Sequence, residues 1–395
     1  MTSAKMPGDA AICARDYLDF IFDGSGWECF SESFWHVLAR GSIGGGEVLA
    51  LTLDGTRSPV PGQSLHTVAR ELRRNDSAPL ILILTPCEIS NDADQFLALG
   101  QLLAALALRR THGPTVAVVL GPLIGPLAIL AQLADINCLG PRGSLALADL
   151  ATTKRVSVQG EASVSVGDLS CTFGTDAAAL LGLRRIAGLL QKGSALRIEL
   201  DTLDRDEDIA FERLAGADTT QHVDERRLLR RISDEREFVE FDSSGGLMAC
   251  LAKIGGQTVG VLASTGTMSG VLDAAALGRA SKLVDFCGRQ KMPVVTLVDC
   301  PGLVPDDATL GAFANLVSTW ADSGVRVVSL VVRKAIGAAA AALMPPSNEQ
   351  VLFWEGARAG LLKDATGTPY GQVVAGRETR RALVATLASF REISV

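Results

Sequence analysis

The chain has 395 residues, a formal net charge of −7 and 48% hydrophobic residues, of which few are aromatic (5% of the chain). Its length suggests about two to three domains, with cores of Leu, Val, Ile and Ala. Its charge gives no general attraction to nucleic acid, and no apolar run reaches the roughly 20 residues of a membrane span. The longest apolar run, around Thr115 to Leu133, is broken by Gly121, Pro122, Gly125 and Pro126. The N-terminus lacks the apolar core of a secretory signal. Eight cysteines show no metal-ligand spacing. Cys87, Cys138, Cys250, Cys287 and Cys300 lie in or beside apolar segments and read as small core residues, which fits a reducing cytoplasm. With four histidines, a His-rich metal centre is not expected.

In chain order, residues 1–35 read as a helical lead-in, 36–222 as a first lobe and 223–395 as a second. Gly41 to Asp54 suggests a strand pair turning at Gly44-Gly45-Gly46. Gln63 to Arg74 is a helix whose basic end suits a C-terminus. Strand 79–85, helix 94–110, strand 115–120 and helix 125–134 follow. The continuous apolar strands suit a parallel sheet covered on both faces. The acidic run Asp201, Asp204, Asp206, Glu207, Asp208 reads as a solvated linker. DERRLLRRISDER, 224–236, is an amphipathic helix whose arginines suit a salt-bridged surface or a phosphate. LMACLAKIGGQTVGVLAS is a hairpin turning at Gly255-Gly256. Helix 273–290, strand 293–299, helix 308–323 and strand 325–332 follow, then turn 333–338, helix 338–344 and a last helix, 376–391. The alternation argues an α/β fold in both lobes.

The chain also repeats itself. PLILILTPCEI and PTVAVVLGPLIGPLAIL in the first lobe match PVVTLVDCPGL and VRVVSLVVRKAIGAAAAAL in the second. Pro79 lines up with Pro293 and Gly125 with Gly337 at nearly constant spacing. Each copy runs strand, helix, strand, then a small-residue turn into a helix. The period is too long for a solenoid. The first N–H groups of such a helix have no intrahelical partners, and two of them aimed at one oxygen make an oxyanion hole. In the second lobe this turn is Arg333-Lys334-Ala335-Ile336-Gly337-Ala338-Ala339. Tight helix packing by alanine suits the same residues, so both roles stay open. The first-lobe turn is Gly121-Pro122-Leu123-Ile124-Gly125-Pro126-Leu127. Pro126 has no N–H, although proline is also comfortable in a first helical turn. Asp299, at a strand end, suits a site carboxylate, a cap or a turn. Cys300 has no histidine partner in the sequence nearby, and a nucleophilic role is not expected.

The second lobe, with IGGQTVGVLASTGTMSGVLDAAALGRASKLVDFCGRQKMPVVTLVDCPGLVP and VVSLVVRKAIGAA, resembles the carboxyltransferase (β) subunits of biotin-dependent acyl-CoA carboxylases. VDERRLLRRISDEREFVEF before it and GQVVAGRETRRALVATL after it look like the same family. The resemblance is specific over 223–340 and 371–387 and weaker over the first lobe. It implies two crotonase-like lobes and a homo- or hetero-hexamer, with the site between the first lobe of one subunit and the second lobe of its partner. It implies that the second lobe receives carboxybiotin and the first holds an acyl-CoA or acyl-carrier-protein thioester. Carried over, the biotin-side donors are Gly337, Ala338 and Ala339, with Gly302, Lys334 and Ile336 as cofactor-binding positions. The thioester side is Gly125, with Leu127 able to stand in for Pro126.

The departures from the family pattern concentrate in the first lobe. The family's Gly-Gly pair at the first turn is Gly125-Pro126 here, and a missing oxyanion donor costs about 3–4 kcal/mol of transition-state stabilisation. The family's Asp-Ser-Gly-Gly-Ala-Arg loop is replaced by Thr85-Pro86-Cys87-Glu88-Ile89-Ser90. A glycine-rich CoA-binding segment is replaced by Asp54-Gly55-Thr56-Arg57-Ser58-Pro59, and the region after Leu362 is shorter. No Ala-Met-Lys-Met biotin-attachment motif occurs, so biotin is expected on a separate carrier protein, a biotin carboxyl carrier or biotin carboxylase subunit. The expected activity is carboxyl transfer between carboxybiotin and the α-carbon of an acyl thioester. Decarboxylation of a malonyl-type thioester, or a non-catalytic subunit paired with a complete carboxyltransferase, stand beside it.

Overall fold

The computed structural model describes residues 13–24, 26–33, 35–53, 62–74, 77–86, 93–147, 163–164, 169–191, 223–242, 245–266, 270–345, 350–360 and 371–392. The acidic run 201–208, the loop 54–59, Cys87–Ser90 and the segment 361–370 lie outside the described residues. The chain divides into two compact units, Met1–Lys192 and Gly193–Val395. The boundary expected at 222/223 ends a stretch, 192–222, that is also outside the described residues.

In the first unit the lead-in holds helix α1 (Ala14–Ile21) and also strand β1 (Glu28–Glu32), which the sequence did not suggest. Strands β2 (His36–Ile43) and β3 (Gly46–Leu53) form the expected hairpin. Gly44 and Gly45 at its tip have φ of 60° and 76°, the left-handed pair that a tight two-residue hairpin turn requires. Helix α2 (Gly62–Leu72), strand β4 (Leu80–Leu84), helix α3 (Ala93–Arg109) and strand β5 (Thr115–Val119) come next. A short strand β6 (Pro122–Ile124) then leads into helix α4 (Pro126–Leu133). Strands β7 (Ile136–Leu139), β8 (Ser144–Ala146), β9 (Ser163–Val164) and β10 (Ser170–Thr172) and helix α5 (Asp176–Leu189) complete the unit. The main sheet runs β1-β2-β3-β4-β5-β7-β10, and β6-β8-β9 make a small second sheet. The first three strands are antiparallel and the rest parallel. Leu49, Leu51 and Leu53 of β3 and Leu80, Leu82 and Leu84 of β4 are buried with Leu65 and Val68 of α2 and Leu99, Leu102 and Leu106 of α3. Each such side chain contributes about 1.5–3 kcal/mol of burial.

The second unit repeats this order. Helix α6 (Glu225–Ile232) precedes strand β11 (Phe238–Glu240) and the hairpin β12 (Leu247–Ile254) and β13 (Gln257–Ser264). Helix α7 (Ala274–Gln290), strand β14 (Val294–Cys300), helix α8 (Asp307–Ser323) and strand β15 (Val327–Ile336) follow. After helix α9 (Ala338–Leu343) come β16 (Gln350–Trp354), β17 (Arg358–Gly360), β18 (Gln372–Val374) and α10 (Thr379–Glu392). The sheet order β11-β12-β13-β14-β15-β16-β18 mirrors the first unit strand for strand. One expectation is corrected. Residues 333–336 are not a turn, because β15 runs on to Ile336. Past a register shift its last residues keep β14 on one side, Ala335 opposite Cys300, and exchange β16 for β17 on the other, Lys334 opposite Arg358 and Ile336 opposite Gly360. The first unit does the same with separate strands, β6 pairing β8.

The repeat extends to a side-chain clasp in each unit. Asp234 accepts from the Gly255 and Gly256 amides at 3.0 and 2.7 Å and from Arg380 of α10 at 2.7 Å, and Arg380 also donates to the Ile232 carbonyl at 2.7 Å. Asp23 accepts from the Gly45 amide at 3.1 Å and from Arg184 of α5 at 2.6 Å, and Arg184 also donates to the Phe22 carbonyl at 3.2 Å. Each clasp joins the first helix, the hairpin tip and the last helix of its unit. Of the helix expected over 224–236, Glu225–Ile232 is α-helical and Asp234–Arg236 is a 3-10 turn with Glu235 at φ 55°; on its surface Arg226 pairs with Glu240 and Glu225.

The two clasps differ in burial: the Arg380 and Asp234 side chains are 14% and 7% exposed, those of Arg184 and Asp23 36% and 28%. Arg380→Ala leaves a buried carboxylate without its cation and is expected to cost about 3–5 kcal/mol. Arg184→Ala is expected to cost about 1 kcal/mol or less. Denaturant unfolding of both variants checks the contrast; equal losses would contradict it.

Candidate functional site

The second-unit turn is built from where β15 ends. Gly337 has φ 64° and ψ −144°, a combination essentially reserved for glycine, and it caps α9. Its N–H donates to the Gly360 carbonyl at 2.8 Å, so β17 pins the turn, and its carbonyl accepts from the Ala340 amide at 3.1 Å. The Ala338 and Ala339 amides have no acceptor among the described residues. Ala338 is exposed and Ala339 buried, and a methyl group at each leaves the backbone approachable.

The first-unit turn has the same construction. Gly125 has φ 60° and ψ −126° and caps α4. Its N–H donates to the Ala146 carbonyl of β8 at 2.7 Å, and its carbonyl accepts from the Ile129 amide at 3.3 Å. Pro126 follows, so the amides left without a described acceptor are those of Leu127 and Ala128. Proline removes the first donor, and the Gly125 carbonyl takes the Ile129 amide where Gly337 takes that of Ala340, so the free pair stands one residue further along the helix. The sequence reading named Leu127 and missed Ala128; proline signals the lost first donor, but the Ala128 amide is free because the Gly125 carbonyl accepts from Ile129, which the sequence does not show.

Of the named residues, Gly337, Ala338 and Ala339 form one strand-to-helix turn, and Lys334 and Ile336 lie at the end of the strand that enters it. Lys334 and Ile336 are both half-buried and share a strand face, being two apart on β15. Gly125 and Leu127 lie on the first-unit turn. Gly302 leaves the neighbouring strand: Cys300 pairs with Ala335 across β14 and β15, and Gly302 follows two residues on. Its carbonyl accepts from the Leu272 amide at 3.2 Å.

Asp299 is neither a cap nor a turn residue; Asp306 caps α8 through the Thr309 amide at 2.7 Å. Asp299 pairs instead with Arg333, Oδ2 receiving Nε at 2.9 Å and Nη2 at 2.8 Å, with the side chains 4% and 11% exposed. The pair joins the ends of β14 and β15 one residue before Lys334, where β15 changes partners. The first unit has Thr85 and Gly121 at the corresponding strand ends; Thr85 Oγ1 donates to the Leu53 carbonyl at 3.1 Å. Helix α9 is held from behind by Trp320 of α8, whose Nε1 donates to the Ala342 carbonyl at 2.9 Å. Burial pushes the Cys300 thiol up to about 12. Its Sγ donates to the Gly270 carbonyl at 3.0 Å, and the thiol is a packed core group. Among the described residues no cluster of His, Cys, Asp and Glu could hold a metal ion, and no helix is long and apolar enough to cross a membrane.

Replacing Asp299 by Asn strands a nearly buried Arg333 guanidinium beside the turn. Asp299→Asn is expected to destabilise the second unit by about 3–5 kcal/mol, read by denaturant unfolding. A loss below about 1 kcal/mol, the range of an exposed pair, would contradict the structural weight given to it.

Residues 162–368, more than half of the chain, match the family model of the carboxyl transferase domain. The propionyl-CoA carboxylase beta chain of Cereibacter sphaeroides is 30% identical over 179 residues, 42% of this chain and 35% of that protein, so the match spans about a third of the relative's length. The biotin-dependent acetyl-/propionyl-coenzyme A carboxylase beta6 subunit of Mycobacterium bovis is 25% identical over 386 residues, 90% of this chain and 81% of that protein. Transcarboxylase 12S, solved as a hexamer assembly with hydrolyzed methylmalonyl-coenzyme A bound, superposes with a TM-score of 0.82 at 19% identity, covering 96% of this chain and 89% of that one. The fold is the two-lobed, crotonase-like α/β fold that the resemblance implied. Paired glycine turns on such lobes and the family match together place this chain in the carboxyl transferase domain family, that of the biotin-dependent carboxyltransferase β subunits.

Proposed function

We propose that the chain is an acyl-CoA carboxylase-type carboxyltransferase, moving a carboxyl group between carboxybiotin and the α-carbon of an acyl thioester. The observation that carries this reading is the duplicated turn: a glycine with reserved backbone geometry, pinned to a parallel strand, followed by two amides without described acceptors. The reaction needs two such donor pairs, because negative charge grows on two oxygens. One is the thioester oxygen as the α-carbon loses its proton; the other is the ureido oxygen.

In this reading the Leu127 and Ala128 amides receive the thioester oxygen and stabilise the enolate. The Ala338 and Ala339 amides receive the ureido oxygen. Fixed donors need no reorganisation when charge develops, which is why such sites contribute several kcal/mol. Carboxybiotin, on a separate carrier protein, supplies the carboxyl group. The residues fit that group: the Ala338 and Ala339 methyls leave the amides open, and Lys334, on the strand that enters the turn, offers a cation for a carboxylate. Gly302, on the adjacent strand end, leaves space without a side chain. The Asp299–Arg333 pair holds the end of β15 while the ligand is bound. The partners are a biotin carboxyl carrier or biotin carboxylase subunit and further copies of a carboxyltransferase chain in a hexamer, in the cytoplasm.

The test is carboxyl exchange by the purified full chain with free biotin and malonyl or methylmalonyl thioesters, on CoA and on carrier protein. Biotin-dependent turnover is the expected result. Biotin-independent loss of CO2 would move the assignment to a decarboxylase. Silence from the folded protein, restored by a second carboxyltransferase chain, would make it a non-catalytic subunit. Ala338→Pro removes one second-lobe donor at a helix position that accepts proline, as Pro126 does. It is expected to lower turnover about 10²–10³-fold while the unfolding midpoint holds; unchanged turnover would remove Ala338 from the site.

A further inference from the structure

The first-unit turn is ringed by exposed apolar side chains. On β6, Pro122 and Ile124 face out while Leu123 between them is buried. Ile124 is 45% exposed. Strand β8 runs beside β6, Ile124 opposite Ala146, and Leu147 just past its end is 69% exposed. On α4, Pro126 is exposed and Ile129, one turn on, is 40% exposed. Gly125 lies among them: its amide bonds the Ala146 carbonyl, and a Cβ on it would stand 3.7 Å from the Leu147 carbonyl oxygen. The Leu127 and Ala128 amides open from the same turn, with their side chains buried.

Charge is scarce along the segment that carries β6 and α4. Between residues 113 and 141 the sole charged residue is Asp135. Its side chain is fully buried, accepting from the Thr115 amide at 2.8 Å and Arg110 Nε at 3.2 Å. The second unit has different chemistry at the matching places: Lys334 for Pro122, Ala338 for Pro126 and Ala341 for Ile129. Ile124 and Leu147 keep the same residue types there, Ile336 and Leu361, so what is particular to the first-unit turn is the added bulk of Pro122, Pro126 and Ile129, where the second unit has a cation and two alanines.

Resting on the carboxyl-transfer reading above, we propose that Pro122, Ile124, Pro126, Ile129 and Leu147 seat a hydrocarbon chain. The thioester taken at this turn then carries an apolar acyl group longer than propionyl. An acetyl group would leave most of the ring in water, whereas a longer chain removes apolar surface on both sides from solvent. Two of the five are prolines, which lose no rotamer freedom when covered. Pro126 has two effects in this arrangement: it lacks the donor that Ala338 keeps, and it adds an apolar wall where Ala338 has a methyl.

The experiment is the affinity of the purified full chain for S-acyl-pantetheines from acetyl to octanoyl, since pantetheine is common to CoA and carrier proteins. The same acyl groups on CoA and on a carrier protein then separate the two sources. Binding is expected to tighten about fourfold per added methylene until the ring is covered. Leu147→Ser, and Ile124→Ser with Leu147→Ser, are expected to flatten that slope. Leu181→Ser, on α5 of the same unit and 53% exposed, is the control that keeps it. A flat series, no binding of any thioester, or an unchanged slope in Leu147→Ser overturns the proposal. So does a changed sedimentation coefficient with the slope intact, which makes the ring a subunit contact. The two readings fail separately: sloped binding without carboxyl transfer sinks the transfer reading and keeps the seat, and transfer with a flat series does the reverse.

Discussion

The bond from the Gly337 amide to the Gly360 carbonyl, and its counterpart from Gly125 to Ala146, govern the candidate site. A strand entering a helix must reverse the direction of its free N–H groups within one or two residues. Here the reversal falls on one residue with φ near +60°, where a side chain would be strained. The bond to a second parallel strand fixes that residue from the other side. With the turn pinned on both sides, the next amides cannot fold back onto their own chain and stay available as donors. Further contacts in the second unit serve this arrangement. Trp320 holds the far end of α9, and the buried Asp299–Arg333 pair holds the strand ends beside the second turn.

The duplication shows which features are architecture and which are chemistry. Both units keep the sheet order, the two-glycine hairpin tip, the carboxylate clasp and the glycine cap. These are requirements of the fold, met twice by the same physics. The units part at the residues around the glycine. Pro126 stands against Ala338, Ile129 against Ala341, Pro122 against Lys334, and Thr85 with Gly121 against Asp299 with Arg333. Such substitutions leave the backbone of the turn in place and change what it can hold. One turn carries added apolar bulk on its strand and helix, with its donors shifted by a residue; the other keeps Ile336 but has small groups on its helix, a cation and a buried ion pair behind it.

The central repeat was legible because its strands are continuous apolar runs such as LILIL and TVAVV, and its glycines sit at fixed points. Both hairpins were legible from paired glycines between alternating strands. The outer part of the repeat was hidden. Short strands such as β6, β8 and β17 have three residues each and no periodicity to read. Strand β1, rich in Glu, Cys and Ser, has no strand signature of its own and forms because β2 offers it an edge. The extension of β15 through Arg333 and Lys334 was missed because two cations beside a glycine read as a turn, whereas pairing with β17 makes them strand. The clasps were invisible because Asp23 and Arg184, like Asp234 and Arg380, are far apart in the chain. Within the candidate site, the glycine turns could be found from sequence. The Arg333 partner of Asp299 needed the register of β14 and β15.

The most direct measurement is a crystal structure of the protein with an acyl thioester and biotin bound together. The account predicts the thioester oxygen at about 2.7–3.1 Å from the Leu127 and Ala128 amides, and the ureido oxygen at the same range from those of Ala338 and Ala339. Either oxygen lying elsewhere, with these amides bonded to water, would contradict the claim that the two turns are the two oxyanion sites.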